Sequence, residues 1–164
     1  MSTESLLSGD LVVADGADTL SLVQVTDTHL TGIETGCLLG VNTARSARAV
    51  IDAALAGESA DCILVTGDIA ADGQPDAYAQ LEALLGTSLP SLWLPGNHDD
   101  VSGLKDRYAP HIKRRLRAKH WDVVMLQTQV KGEVGGVLST TELAALRSAV
   151  DDARLANKAL LVAT

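Results

Sequence analysis

Asp61-Cys62-Ile63-Leu64-Val65-Thr66-Gly67-Asp68 is a short run of apolar, β-favouring residues that stops on a glycine and a carboxylate. A run of this length has the character of a strand buried on both faces, as in the middle of a parallel sheet. Upstream, Leu20–Thr26 reads as a strand and is followed at once by Asp27-Thr28-His29. Downstream, Ser91-Leu92-Trp93-Leu94 reads as a third strand and runs into Pro95-Gly96-Asn97-His98-Asp99. Helical patterns fill the gaps. Residues 43–56 carry Ala47, Val50, Ile51, Ala54 and Leu55 on one face, with Asn42 as N-cap and Gly57 as stop. Residues 75–85 start on Pro75 and end at Gly86, with Tyr78, Leu81, Leu84 and Leu85 as the buried stripe. The order β-α-β-α-β predicts an α/β fold with a mostly parallel sheet and covering helices.

The remainder extends this layout. Residues 103–117 read as helical or irregular, and 121–130 as a strand, followed by a turn through Lys131-Gly132 and Gly135-Gly136. Ser139 and Glu142 form a capping box, with Leu138 and Leu143 at the staple positions, for a helix to about Asn157. Ala159–Thr164 reads as one more buried strand. The domain expectation is a lead-in over 1–19 and one domain portion over 20–164.

Composition narrows the functional classes. The 164 residues carry 13 Lys+Arg against 21 Asp+Glu, a net charge of −8, and no Phe, so Ala, Leu and Val must fill the core. No apolar run is long enough to span a membrane, so no membrane partner is expected. Residues 1–104 hold two bases and fifteen acids, whereas 105–119 hold seven bases. With few aromatics interleaved, that basic run is expected to be a solvated helix face rather than a nucleic-acid surface. Cys37 and Cys62 lack a CxxC spacing and fit reduced thiols in a cytoplasmic protein.

The chemistry collects after the three strands. In an open parallel sheet the carboxyl ends of the strands share one edge, where ligands bind. Asp27, His29, Asp68, Asn97 and His98 are therefore expected to meet there. Their oxygen and imidazole donors suit divalent Mn, Fe or Zn. An extended Asp-x-His would point both side chains the same way. The two oxygens of Asp68 could serve two ions. His111 and His120 lack such a setting and read as non-ligands. Asp72, Asp76 and Asp100 read as turn, capping or solvated acids.

These blocks resemble the calcineurin-like metallophosphoesterases, marked by Asp-x-His, Gly-Asp and Gly-Asn-His-Asp. The likeness extends over residues 20–164 to the bacterial 3′,5′-cyclic AMP phosphodiesterases, through Thr26–Leu30, Leu39–Thr43, Trp93–Asp99, Gln129-Val130 and Leu138-Ser139. The resemblance implies a metallophosphoesterase-type sandwich and two divalent metal ions. Asp27 and His29 would hold the first, Asp68 both and Asn97 the second. Asn97 would touch the phosphate, and His98 would contact the phosphate or protonate the leaving 3′ oxygen, its ring oriented by Asp99. The implied reaction is hydrolysis of cyclic AMP, or a related cyclic nucleotide, to the 5′-monophosphate by metal-activated hydroxide. The runners-up are another phosphoester substrate and a non-catalytic remnant. Gln127 stands where the subgroup carries an acid. The family's later His and Gly-His-x-His blocks are not among the 164 residues. The C-terminal sheet and its ligands are thus expected to be missing, and this chain alone to bind metal weakly and turn over slowly.

Overall fold

The apolar run at 62–66 becomes the centre of a three-stranded sheet. In the computed structural model, which describes residues 5–13, 16–57 and 59–164, strands β1 (Asp10–Val12), β2 (Leu22–Val25), β3 (Cys37–Leu38) and β4 (Val41–Asn42) precede helix α1 (Thr43–Leu55). Then follow β5 (Cys62–Thr66), α2 (Pro75–Leu85), β6 (Ser91–Leu94), α3 (Val101–Arg107), β7 (Arg115–Arg117), β8 (Trp121–Met125), α4 (Thr140–Leu155) and β9 (Ala159–Ala163). β2, β5 and β6 are all parallel, in that order, with Val23 opposite Ile63 and Val65 opposite Trp93. Ile63, Val65, Leu92 and Trp93 are fully buried, as strands covered on both faces must be. Helices α1 and α2 form between them where periodicity placed them, but of the apolar face read on α1 only Ala47 and Ile51 are buried, Val50 being 61% exposed. Asn42 caps α1 by accepting the Arg45 N–H at 2.7 Å, and Pro75 occupies the first turn of α2.

A second sheet, in the order β1-β7-β8-β9, is antiparallel only between β7 and β8. The segment ahead of residue 20 supplies its edge strand β1, and Leu6 and Leu7 sit in the main apolar cluster. At the other edge, Leu161 and Val162 of β9 are 39% and 44% exposed. Trp93 ties the core together, stacked on Tyr108 at 5.3 Å and on His111 at 4.5 Å. His111 is thus a core-edge ring, and His120 pairs with exposed Asp18.

The strand read over 121–130 ends at Met125, because the partners run out: Met125 stands opposite Ala163, the last residue of β9. The basic run is not a solvated helix face. α3 ends at Arg107, and Arg115–Arg117 form β7, with Arg115 buried and paired to Asp152 at 2.6 Å. Arg114 is drawn in by Glu142, whose carboxylate also accepts the Gln127 N–H at 3.0 Å. Summed charge could not reveal this, since the acids that pair with Arg114 and Arg115 lie 28 and 37 residues away.

Burial alone would raise the Glu142 carboxyl, but bonds from Arg114, Ser5 and the Gln127 N–H hold it below its ordinary value of 4.5. A depressed folded value gives stability that is complete above pH 4.5 and is lost as pH falls through the folded value. Glu142→Gln is accordingly expected to lower Tm at pH 7 and to flatten its fall below about pH 4.5, which thermal melts at stepped pH will read. Parallel Tm–pH curves for the two proteins would show that this carboxyl does not titrate with unfolding.

Candidate metal centre and active site

Each site residue sits just past a strand of the first sheet, but the backbone there is not the extended strand expected for Asp-x-His. Asp27 and His29 have φ of +56° and +42°, and Asp68 has φ of +49°. Three non-glycine residues in the left-handed region at one place are uncommon, although Asp and His tolerate it better than most. Such strain persists only where the surroundings impose it. Here the two crossing segments do so: Asp27 N–H donates to Gly67 O at 3.1 Å, His29 N–H to Asp68 O at 2.9 Å and Leu30 N–H to Ile69 O at 2.8 Å.

Gly96 makes the convergence possible. A Cβ on it would lie 2.0 Å from Asp68 Oδ1 and 2.3 Å from Asp68 N. Gly67, at φ +100°, meets the same turn from the other side, where its Cβ would approach Gly96 Cα to 3.2 Å. The two glycines let the loops after β5 and β6 touch through their backbones.

Two groupings result, and Asp68 belongs to both. His29, Asp68 and His98 bring one donor atom each to within 4.8 Å of one another. His29 Nε2 lies 3.7 Å from Asp68 Oδ2, and the His29 and His98 rings meet edge-on at 4.9 Å. Asp68, Asp27 and Asn97 line a cavity of about 200 Å³, with Gly96, Thr128 and Val134–Gly136 among its other walls. His98 N–H donates to Asp68 Oδ1 at 3.2 Å, and Thr26 Oγ1 donates to Asp27 Oδ2 at 2.5 Å.

The donor set fits a divalent cation. Carboxylate oxygens and imidazole nitrogens at this spacing are first-row metal chemistry. Moreover, His29 Nδ1 is buried with no hydrogen-bond partner among the described residues, and Nε2 lies beside Asp68 Oδ2, a prospective co-ligand. Asp68, shared between the His cluster and the cavity, stands where a carboxylate could serve two ions.

His98 and Asp99 differ from the sequence reading in one respect. Among the described residues, Asp99 has no bond to the His98 ring. Its carboxylate is 7% exposed and accepts the N–H groups of Ile69, Ala70 and Gly96 at 3.1, 2.9 and 2.8 Å. Burial raises the Asp99 carboxyl above its ordinary value, and the Ala70, Gly96 and Ile69 N–H bonds oppose the rise. Asp99 therefore staples the loops after β5 and β6 together. The His98 ring is oriented instead by the Ala71 carbonyl, 2.8 Å from Nδ1. A carbonyl only accepts, so the hydrogen is on Nδ1 and Nε2 faces the cluster as the reactive nitrogen.

Sequence reasoning missed Thr26, the Ala71 carbonyl, and Gln129, which lines the cavity and donates from Nε2 to Asp99 O at 2.9 Å. A backbone carbonyl leaves no residue-type signal. The glycines at 132, 135 and 136 signalled a turn, but not that the turn forms a cavity wall. Asp100 does cap α3, accepting from Ser102 and Gly103 N–H groups, as its turn-or-cap reading anticipates.

A model of the calcineurin-like phosphoesterase family matches residues 20–150. The chain belongs to that family. It is 36% identical over 156 residues to the 3′,5′-cyclic adenosine monophosphate phosphodiesterase CpdA of Escherichia coli K12, covering 92% of this chain and 56% of that protein. The CpdA of Pseudomonas aeruginosa is 33% identical, covering 80% and 50% respectively. A 3′,5′-cyclic-nucleotide phosphodiesterase of Nostoc is 35% identical, covering 76% and 48%. The chain thus spans about half the length of these relatives. Among solved structures, a dimetal phosphatase from Danio rerio has a TM-score of 0.65 at 14% identity, covering 88% of this chain and 69% of that one. That likeness supports the metallophosphoesterase fold, a mixed α/β sandwich, and the family implies divalent metal ions at the site just described.

Proposed function

We propose that this calcineurin-like phosphoesterase chain is the N-terminal, metal-holding portion of a dinuclear phosphodiesterase that hydrolyses 3′,5′-cyclic AMP or a related cyclic nucleotide to the 5′-monophosphate. The convergence of Asp27, His29, Asp68, Asn97 and His98 on one sheet edge carries the reading. The similarity to CpdA enzymes supports the choice of substrate. Residues 20–164 form this portion, with 1–19 as the lead-in that brings β1 to it.

Asp27 and His29 would hold one ion, Asp68 both, and Asn97 the other. Divalent Fe, Mn or Zn bound there supplies Lewis-acid chemistry, offsetting the phosphate charge and making a nucleophile of water available near neutral pH. The amide of Asn97 positions a phosphate oxygen at the cavity mouth. In its imidazolium form, with Nδ1–H held by the Ala71 carbonyl, His98 gives its Nε2 proton to the leaving 3′ oxygen and is left as the neutral imidazole. Gln129 and Asp99 keep the loop that carries both residues in register. No helix among the described residues is long and apolar enough to cross a membrane. Free cysteines at 37 and 62, together with a nucleotide substrate, support a cytoplasmic setting.

The chain itself tests the reading through binding. Mn²⁺ is expected to raise its affinity for cyclic AMP by about tenfold or more over the EDTA-treated protein. Cyclic AMP should also bind more tightly than bis(p-nitrophenyl) phosphate, and any slow turnover should yield 5′-AMP. Calorimetry with both ligands reads the first two points, and chromatography of the products reads the third. Metal-independent binding would overturn the metal-centred reading. Equal affinity for the two ligands would overturn the cyclic-nucleotide assignment.

A further inference from the structure

The two bases among the first 104 residues, Arg45 and Arg48, line one cavity of about 440 Å³ between α1 and α2, away from the metal residues. Three positions apart on α1, they are neighbours on one helix face. Neither makes an ion pair among the described residues, although fifteen acids share that stretch of chain. The placement also runs against helix polarity. The first turn of α1 contains no acid, whereas α2 and α4 begin with Asp76 and Glu142. Guanidinium groups near a helix's positive end cost stability in the free protein. A second misfit lies across the groove: Gln80, another lining residue, keeps Oε1 buried with no hydrogen-bond partner.

We propose that this groove is a second ligand site, for a small phosphate-bearing molecule that also carries a hydrogen-bond donor. Two guanidinium forks beside the α1 N-terminus suit a dianionic phosphate better than a single carboxylate. Gln80 Oε1 offers the acceptor for the ligand's donor, and the Glu34 carboxylate on the wall offers a second. Ala83 and Leu84 supply an apolar side for the carbon skeleton. Asn42 is not free for this purpose: Oδ1 caps Arg45 N–H and Nδ2 donates to Glu34 O at 2.9 Å. With the chain at −8 overall, attraction to an anion must come from this local pair rather than from the general field.

This inference stands apart from the phosphodiesterase reading, and the test separates them. The full chain is titrated in EDTA, so that no metal can recruit phosphate, with glycerol 3-phosphate, inorganic phosphate and acetate as probes. Saturable binding is expected in the order given, with Arg45→Gln/Arg48→Gln lowering it about tenfold or more and Gln80→Leu erasing the preference for glycerol 3-phosphate over phosphate. Asp68→Asn should bind as the parent does, and the double arginine variant should melt no lower than the parent. Absence of saturable phosphate binding overturns the proposal. So does binding that survives loss of both arginines, binding that vanishes with Asp68→Asn, or a fall in Tm that marks the arginines as structural.

Discussion

Asp68→Asn is expected to weaken Mn²⁺ binding by about 100-fold or more while leaving the fold intact, because even partners outside the ligand shell cost 10–100-fold when removed. The substitution is chosen for its backbone. Asp68 has φ of +49°, a region that Asn occupies as readily as Asp, so the turn need not change. The amide oxygen can still accept the His98 N–H that Asp68 Oδ1 accepts at 3.2 Å. What disappears is the negative charge shared by the His29–Asp68–His98 cluster and the cavity that Asp27 and Asn97 line. Tm is expected to shift by no more than about 3 °C, since no buried apolar contact is lost. Calorimetric titration with Mn²⁺ beside a thermal melt reads both quantities. An unchanged Mn²⁺ affinity would remove Asp68 from the metal centre, and with it the dinuclear reading.

The sheet edge that carries this residue was legible because buried parallel strands are written as local runs. Leu22–Val25, Cys62–Thr66 and Ser91–Leu94 each announce themselves in about five residues, and the helix between each pair announces itself by periodicity. The polar residues directly after those runs could then be placed at one edge by topology alone. What was not legible depends on partners distant in sequence. Arg115–Arg117 reads as surface charge until Asp152 and Asp10 are folded against it. Leu6 and Leu7 belong to the core only because the N-terminal segment runs back to β7. Asp99 looks like a partner for its neighbour His98, yet three N–H groups converging on its carboxylate claim it first. The left-handed backbone at Asp27 and His29 is likewise imposed across the sheet edge by Gly67 and Asp68, and neither residue type encodes it.

Gly96→Ala is expected to cost about 1–3 kcal/mol of stability or more, and to disturb the metal centre at the same time. The added methyl carbon would sit 2.0 Å from Asp68 Oδ1 and 2.3 Å from Asp68 N. A flexible side-chain end could move aside, but the backbone nitrogen cannot move without shifting the turn after β5. That turn is held by His29 N–H on Asp68 O and by the Ile69 and Ala70 N–H groups on Asp99. Relief of the clash must therefore stretch the bonds that bring the loops together, or swing the Asp68 carboxylate out of the cluster. Either route separates Asp68 from His29 and His98, so Mn²⁺ affinity should fall together with Tm. Gly57→Ala is the matched control, because a methyl group there meets nothing within 4 Å. Urea titrations and Mn²⁺ calorimetry on the two variants give the comparison. Wild-type stability and Mn²⁺ affinity in Gly96→Ala would mean that the turns after β5 and β6 are not in backbone contact, and the site would have to be rebuilt on other residues.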